Sequence, residues 1–311
     1  MYLSTDQLFS SCSFSPKPFH AVETLHEQGS GEQNEDVLLR GENIFGVFDG
    51  ATSLEKFYDT AGSTGGLRAA RIAADTFRNE SGSLPQIAGK ANRLLRQAQE
   101  RCRIPLHERQ RLWSTSLAVV RLGDTSFEYC YTGDSMILLL HDDGDHTLLS
   151  PELDIDRETL TLWQNSPISE QPIHTCLAEQ IVRVRLEMNV RYGVLNGEPE
   201  SMHFLRHGRK SLANVTDILL FTDGLALPKA DPREPSDWQS FVDLYRAGGL
   251  AAIRDHVRSF QIRDPACRLY PRFKMHDDIA AIAVTIDRGS ASPDHTPRRF
   301  SRIPSSSSIF R

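Results

Sequence analysis

Acidic residues stand repeatedly at the ends of short apolar runs. Ile44-Phe45-Gly46-Val47-Phe48 leads into Asp49-Gly50, Ile218-Leu219-Leu220-Phe221 into Thr222-Asp223-Gly224, and Tyr131-Thr132 into Gly133-Asp134-Ser135. Asn34-Glu35-Asp36 opens Val37-Leu38-Leu39, and His276-Asp277-Asp278 opens the run from Ile279 to Ile286. Short runs rich in β-branched and aromatic residues predict strands. An Asp-Gly pair after such a run predicts a sharp turn, because glycine tolerates φ > 0. Any one of these motifs describes an ordinary hairpin turn. Their recurrence predicts carboxylates gathered at the rim of a sheet, as in a metal site. With no useful cysteine and little histidine nearby, such a site suits hard, oxygen-seeking cations, Mg²⁺ or Mn²⁺ rather than zinc. Two such ions about 3.5–4 Å apart can share a water and lower its pKa from about 16 toward 7 for attack on phosphorus. Asp49 is the natural bridging ligand, and Gly50 leaves room for its backbone carbonyl to join.

The elements that must hold these acids follow from periodicity. Val22–Leu25, Val37–Leu39 and the run ending at Asp49 predict strands, the last two a hairpin. Antiparallel pairing brings the entry of one strand beside the exit of its partner, so Glu35 and Asp36 fall near Asp49; alone, they would read as solvated loop acids. Leu67, Ala70, Ala74 and Phe77 share a helical face with Ser63 or Thr64 as N-cap, and Pro85 opens a second amphipathic helix that continues to Cys102. From Trp113 the period changes to that of strands: Ser116–Leu122, Phe127–Thr132 and Met136–Leu140, with a hairpin turn at Asp142-Asp143-Gly144. Residues 150–173 carry little pattern and predict a surface excursion. Ile181 to Leu186 alternates and predicts a half-exposed strand. Arg206, His207, Arg209 and Lys210 read as a solvated loop. Trp238–Tyr245 and Leu250–Phe260 predict helices divided by Gly248-Gly249. Strand runs between helix pairs predict an α+β fold rather than a βαβ array.

Composition narrows the function. The chain has 311 residues, 39% hydrophobic and 24% charged, within the ordinary globular range. A net charge of −6 gives no electrostatic case for nucleic acid as a partner. No apolar run approaches the roughly 18 residues needed to cross a bilayer, and Met1–Pro18 lacks a basic-then-apolar signal pattern. The five cysteines are scattered and never spaced as CxxC, which argues against a disulfide framework or thiolate zinc site and for a cytoplasmic protein. The expected organisation is an irregular segment over 1–20, one domain over 21–287 and a disordered Ser- and Arg-rich tail over 288–311.

The ordered set Asn34-Glu35-Asp36, Phe48-Asp49-Gly50, Gly133-Asp134-Ser135, Thr222-Asp223-Gly224 and Asp277-Asp278 resembles the metal-dependent Ser/Thr protein phosphatases of the type 2C family. The resemblance spans about Gly29 to Ile286. It implies a four-layer α-β-β-α fold, an antiparallel β-sandwich flanked by helix pairs, with a dinuclear Mn²⁺ or Mg²⁺ site at one end. It also implies hydrolysis of phosphomonoesters on proteins by a hydroxide bridging the two ions. By the match, Asp49 bridges both ions with the Gly50 carbonyl, Glu35 holds one, and Asp223 and Asp277 hold the other. Asp36 matches a ligand to an ion or its water, Asp134 the acid that supports a third ion in some relatives, and Asp278 a residue that orients its neighbour. Asp49 and Asp36 are thereby the catalytic candidates.

Three positions depart from the family pattern. Gly31 stands where many relatives carry a phosphate-binding Arg, Ala51 where some carry a His after Asp-Gly, and Met136 where an Arg is common after Gly-Asp-Ser. The metal shell is kept and the substrate side is altered. Two other readings follow from that alteration. One is a hydrolase of a small phosphorylated molecule on the same scaffold; the other is a non-catalytic phosphopeptide-binding or regulatory module. The retained acids count against the module, because clustered carboxylates without a cation repel one another. The segment 150–211, between the third and fourth acidic motifs, is the expected determinant of substrate choice.

Overall fold

The computed structural model describes residues 18–51, 54, 57–167 and 171–287. The expected irregular N-terminal segment and disordered tail fall almost wholly outside them. The chain opens with β1 (Phe19–Glu27) and the hairpin β2 (Val37–Arg40) and β3 (Ile44–Ala51). Helix α1 (Gly65–Asn79) starts at Thr64, whose side chain accepts from Leu67 N, and α2 (Leu84–Arg101) starts at Ser83, whose N–H donates to Gln86 Oε1 at 3.0 Å. Then come β4 (Ser114–Leu122), β5 (Ser126–Thr132), β6 (Met136–His141) and β7 (His146–Leu148). The next stretch is helical: α3 (Arg157–Asn165), α4 (Ile173–Cys176), α5 (Ala178–Leu186) and α6 (Ser201–Phe204). The chain closes with β8 (Arg206–Ser211), β9 (Val215–Phe221), α7 (Trp238–Arg263) and β10 (Ile279–Ile286).

The strands form two antiparallel five-stranded sheets, ordered β1-β10-β9-β6-β7 and β2-β3-β4-β5-β8. Side chains alternate across each strand, so one face of each sheet fills the space between them. Phe45 and Val47 of β3, Ile218 and Leu220 of β9, and Ile282 and Val284 of β10 meet there. The opposite face of β3 and β4 offers Phe48, Leu117 and Val119 to Ala70, Ala74 and Phe77 of α1 and Leu95 of α2. The opposite face of β9 and β10 offers Leu219, Phe221, Ala281 and Ala283 to Phe241, Leu250, Ile253 and Val257 of α7. Helix, sheet, sheet and helix therefore stack in the expected four layers. Burial on both faces explains why β3, β9 and β10 read as unbroken apolar runs despite antiparallel pairing.

Three expectations need correction. The strand expected at Ile181–Leu186 is helix α5. Its six-residue alternation is too short to fix the period, and Ala178, Ile181, Val182 and Arg185, spaced i, i+3, i+4 and i+7, all face one cavity. The described residues of 150–173 lie mostly at the surface, as expected, but they include helix α3, which is tied to the core: Trp163 is 4% exposed, donates from Nε1 to Cys267 O at 2.8 Å and lies under the Arg268 guanidinium. The basic run Arg206–Lys210 is exposed as expected, but lies in edge strand β8 rather than in a loop. Charged residues on such an edge oppose pairing with another chain.

Candidate metal centre

The acidic motifs converge because the strands they flank all present the same end of the sandwich. Pairing of Val37 with Phe48 sets Asp36, one residue before β2, beside Asp49 near the end of β3. Pairing of Ala281 with Phe221 sets Asp223, just past β9, beside Asp277 and Asp278, just before β10. Asp134 sits where the chain crosses from one sheet to the other, after Gly133 at φ 76°. Glu35, Asp49, Gly50, Asp134, Asp223 and Asp277 all line one cavity of about 810 Å³. Asp36 lies behind that wall: it is 3% exposed and its Oδ2 accepts from Thr222 Oγ1 at 2.7 Å.

Asp49-Gly50 is not the sharp turn expected from its sequence. Strand β3 continues through it, with Asp49 opposite Ser116, Gly50 opposite Thr115 and Ala51 opposite Ser114. Gly50 serves close approach instead. A Cβ there would stand 2.5 Å from Gly66 O and 2.6 Å from Glu35 O. The missing side chain thus lets the start of α1 and the first acidic loop close on the end of β3. Glu35 is 7% exposed and its Oε1 accepts from Thr64 Oγ1.

Asp278 reaches further than its neighbour, the role the resemblance implies for it. Its Oδ1 accepts from Gly29 N at 2.7 Å and its Oδ2 from Glu35 N at 3.0 Å. It thereby clamps the loop that carries Glu35 and Asp36 to the start of β10. Thr222 makes a second tie: its Oγ1 donates to Asp36 and accepts from Ala280 N at 3.0 Å.

The carboxylates are electrostatically crowded. Burial pushes the Asp49 carboxyl well above the usual aspartate range, and the charges of Asp36, Asp223, Asp134 and Asp277 push it further. Burial also raises Asp36, with Asp277 and Asp278 adding to the shift while the Thr222 hydroxyl opposes it. Asp223 is raised by burial and then by Asp277, Asp134 and Asp36. Asp134 is raised by burial against a hydrogen bond from Ser116. Asp156, on the same wall, is pushed up to about 7 by burial and by Asp134. Among the described residues no three His, Cys, Asp or Glu side chains close on a single point as a ready-made ligand set. The acids instead ring the cavity. The donor set is oxygen-only, and its mutual repulsion is the kind a divalent cation relieves. Mg²⁺, which keeps several of its waters, needs few direct protein ligands. The residues present therefore fit a hard divalent cation.

A family model described as Protein phosphatase 2C matches residues 26–255. The chain belongs to the protein phosphatase 2C family. A search of the curated proteins gives no significant match. Solved structures of similar fold include the catalytic domain of the serine/threonine phosphatase PstP in complex with two manganese ions, at 16% identity and TM-score 0.52 over 86% of this chain and 98% of that one. PppA of Pseudomonas aeruginosa matches at 16% identity and TM-score 0.53 over 87% and 99%. Stp1 of Staphylococcus aureus matches at 15% and 0.52 over 86% and 94%. At these identities the likeness is one of fold. In this 2C-family chain Gly31 lines the cavity without a side chain, and α5 contributes Ile181, Val182 and Arg185 to its wall.

Sequence reasoning missed several of the residues that shape the site. Thr222 was detectable, since it directly precedes Asp223. Asp156 lies in the stretch with the weakest pattern, and Arg185 in the run whose alternation predicts a strand. Lys274 lies in a loop after Pro271, three residues before Asp277, with no periodicity to mark it.

Proposed function

We propose that this chain removes phosphate from phosphoserine and phosphothreonine on protein substrates in the cytoplasm, using two Mn²⁺ or Mg²⁺ ions. Glu35, Asp49, the Gly50 carbonyl, Asp223 and Asp277 would hold the pair, and Asp134 stands where a third ion would bind. Bound divalent cations lower the pKa of water toward neutrality and offset charge on the transferring phosphoryl group. The chain's own part is to set the positions. Asp278 fixes the loop bearing Glu35 and Asp36, and the Thr222 hydroxyl favours the ionised form of Asp36. Helix α5 adds Ile181, Val182 and Arg185 to the wall of the cavity. Ala51 offers no proton to the departing alkoxide, so that proton must come from elsewhere in the cavity.

One observation carries this reading: acids from separate strand ends, with oxygen donors only, surround a single cavity at the end of the sandwich. The test is phosphate release from phosphoserine and phosphothreonine peptides by the wild type and Asp49→Asn with Mn²⁺, Mg²⁺ or EDTA. The expected result is turnover by the wild type only with metal, and none by the variant. Metal-dependent turnover of small phosphate esters without any from phosphopeptides would favour a small-molecule hydrolase, which Gly31 also suits. Metal binding without turnover of either would overturn both and point to a binding module.

A further inference from the structure

The first acidic loop brings no cation to the cavity, because Gly31 has no side chain. Among the described residues lining the cavity, the lysine and arginine side chains are Lys274 and Arg185. They stand in different surroundings. Arg185 projects from α5 toward Ser114, and its charge is felt by Asp134 and Asp156. Lys274 stands among the acids read here as the metal pair's ligands. Its Nζ lies 2.7 Å from Asp277 Oδ1, and its charge acts on Asp36, Asp49, Asp223 and Asp278. About a third of its side chain (35%) remains exposed.

The loop that presents Lys274 is held on both sides. Arg272, two residues earlier, donates from Nε to Met275 O at 3.0 Å and from Nη1 to Asp264 Oδ2 at 2.9 Å. His276 O, two residues later, accepts from Ser30 N at 2.9 Å. Phe273 stacks on His174 of α4 with ring centroids 5.7 Å apart. The ammonium is therefore placed by a braced backbone rather than by a free loop. Asp277 Oδ1 already accepts from both Lys274 and Asp278 N, which leaves Oδ2 to face a metal ion. A phosphomonoester dianion entering such a site meets many carboxylates and needs a cation beside the metals to hold its peripheral oxygens.

We propose that Lys274 is the phosphate-binding cation of this chain, donating from Nζ to a non-bridging oxygen of the substrate phosphoryl group in place of the guanidinium that Gly31 cannot supply. This rests on the phosphatase reading above for its substrate, but its primary test does not need turnover. Inorganic phosphate is titrated calorimetrically into the full-length Mn²⁺-loaded chain as wild type, Lys274→Met, Lys274→Arg and Arg185→Met. Loss of one charge-assisted hydrogen bond predicts that Lys274→Met weakens phosphate binding by about 10–100-fold. Lys274→Arg, which keeps the charge, should stay within about 5-fold, and Mn²⁺ stoichiometry should match the wild type in each variant. In steady-state assays the loss in Lys274→Met should fall mainly on KM.

Unchanged phosphate affinity in Lys274→Met would overturn the proposal. So would a loss confined to Arg185→Met, or loss of Mn²⁺ from Lys274→Met, which would make Lys274 a brace of the metal ligands instead. If the wild type binds phosphate through Lys274 yet turns over no ester, the phosphatase reading fails and this one stands.

Discussion

Replacing Asp278 with alanine tests how the first acidic loop is held. The carboxylate is 3% exposed and accepts from two backbone donors, Gly29 N at 2.7 Å and Glu35 N at 3.0 Å. Hydrogen bonds to a charged group contribute about 1.5–3 kcal/mol each, so the gross loss is about 3–6 kcal/mol. Two effects offset it. The like charge acting on Asp36 is removed, and water entering from the cavity can partly satisfy the two N–H groups. A net destabilisation of about 2–4 kcal/mol follows. For a domain of this size, about 2–4 °C of melting temperature is lost per kcal/mol, so a mid-range loss of about 3 kcal/mol corresponds to about 6–12 °C. The assay is thermal and urea unfolding in EDTA, which separates the clamp from any bound ion. Asp278→Asn, which keeps one acceptor, should fall between the alanine variant and the wild type. Mn²⁺ affinity should fall with the clamp, because Glu35 loses its anchor. A melting temperature for Asp278→Ala within about 2 °C of the wild type would refute the reasoning, since the loop would then be held by something else.

Other perturbations follow from the same geometry. Gly50→Ala places a methyl against backbone on two sides and should cost at least about 1–3 kcal/mol, with weakened Mn²⁺ binding seen by calorimetry. Metal-free stability should fall with rising pH. The folded pKa values of Asp36, Asp49 and Asp223 are raised, so their contribution is complete below the ordinary aspartate value of about 4 and is lost as pH climbs through the raised values. Asp156 extends that loss to about pH 7. Melting in EDTA at pH 5 and pH 8 checks this, with the stabilisation by Mn²⁺ expected to be larger at pH 8. Trp163→Ala removes the buried anchor of α3 and should cost about 3–5 kcal/mol locally; hydrogen exchange should rise over residues 157–186 and leave β3 and β9 unchanged.

Much of the sandwich was readable because its strands are buried on both faces. Ile44–Phe48, Val215–Phe221 and Ile279–Ile286 could hardly be anything but core, and each borders acids that a core does not need. The cap at Ser63 or Thr64, Pro85 in the first turn of α2 and the Gly248-Gly249 break announced the helices by local chemistry. Helix α5 was not readable. Ile181-Val182-Arg183-Val184-Arg185-Leu186 fits a period of two over its short length, and only the cavity beside it selects the helix. Asp49-Gly50 was misread for a related reason. Glycine's use there lies in contacts with Gly66 and Glu35, which are remote in sequence, rather than in its own φ. The convergence of Lys274 with Asp49 and Asp223 likewise depends on how β9 and β10 pair, which no short motif states.

Crystals soaked in Mn²⁺ and recorded at the manganese absorption edge would test most directly whether the ringed acids form a metal centre. The account predicts two anomalous peaks in the cavity flanking Asp49, one toward Glu35 and one toward Asp223 and Asp277. A cavity with no anomalous peak, or Mn²⁺ bound only away from Asp49, would contradict it.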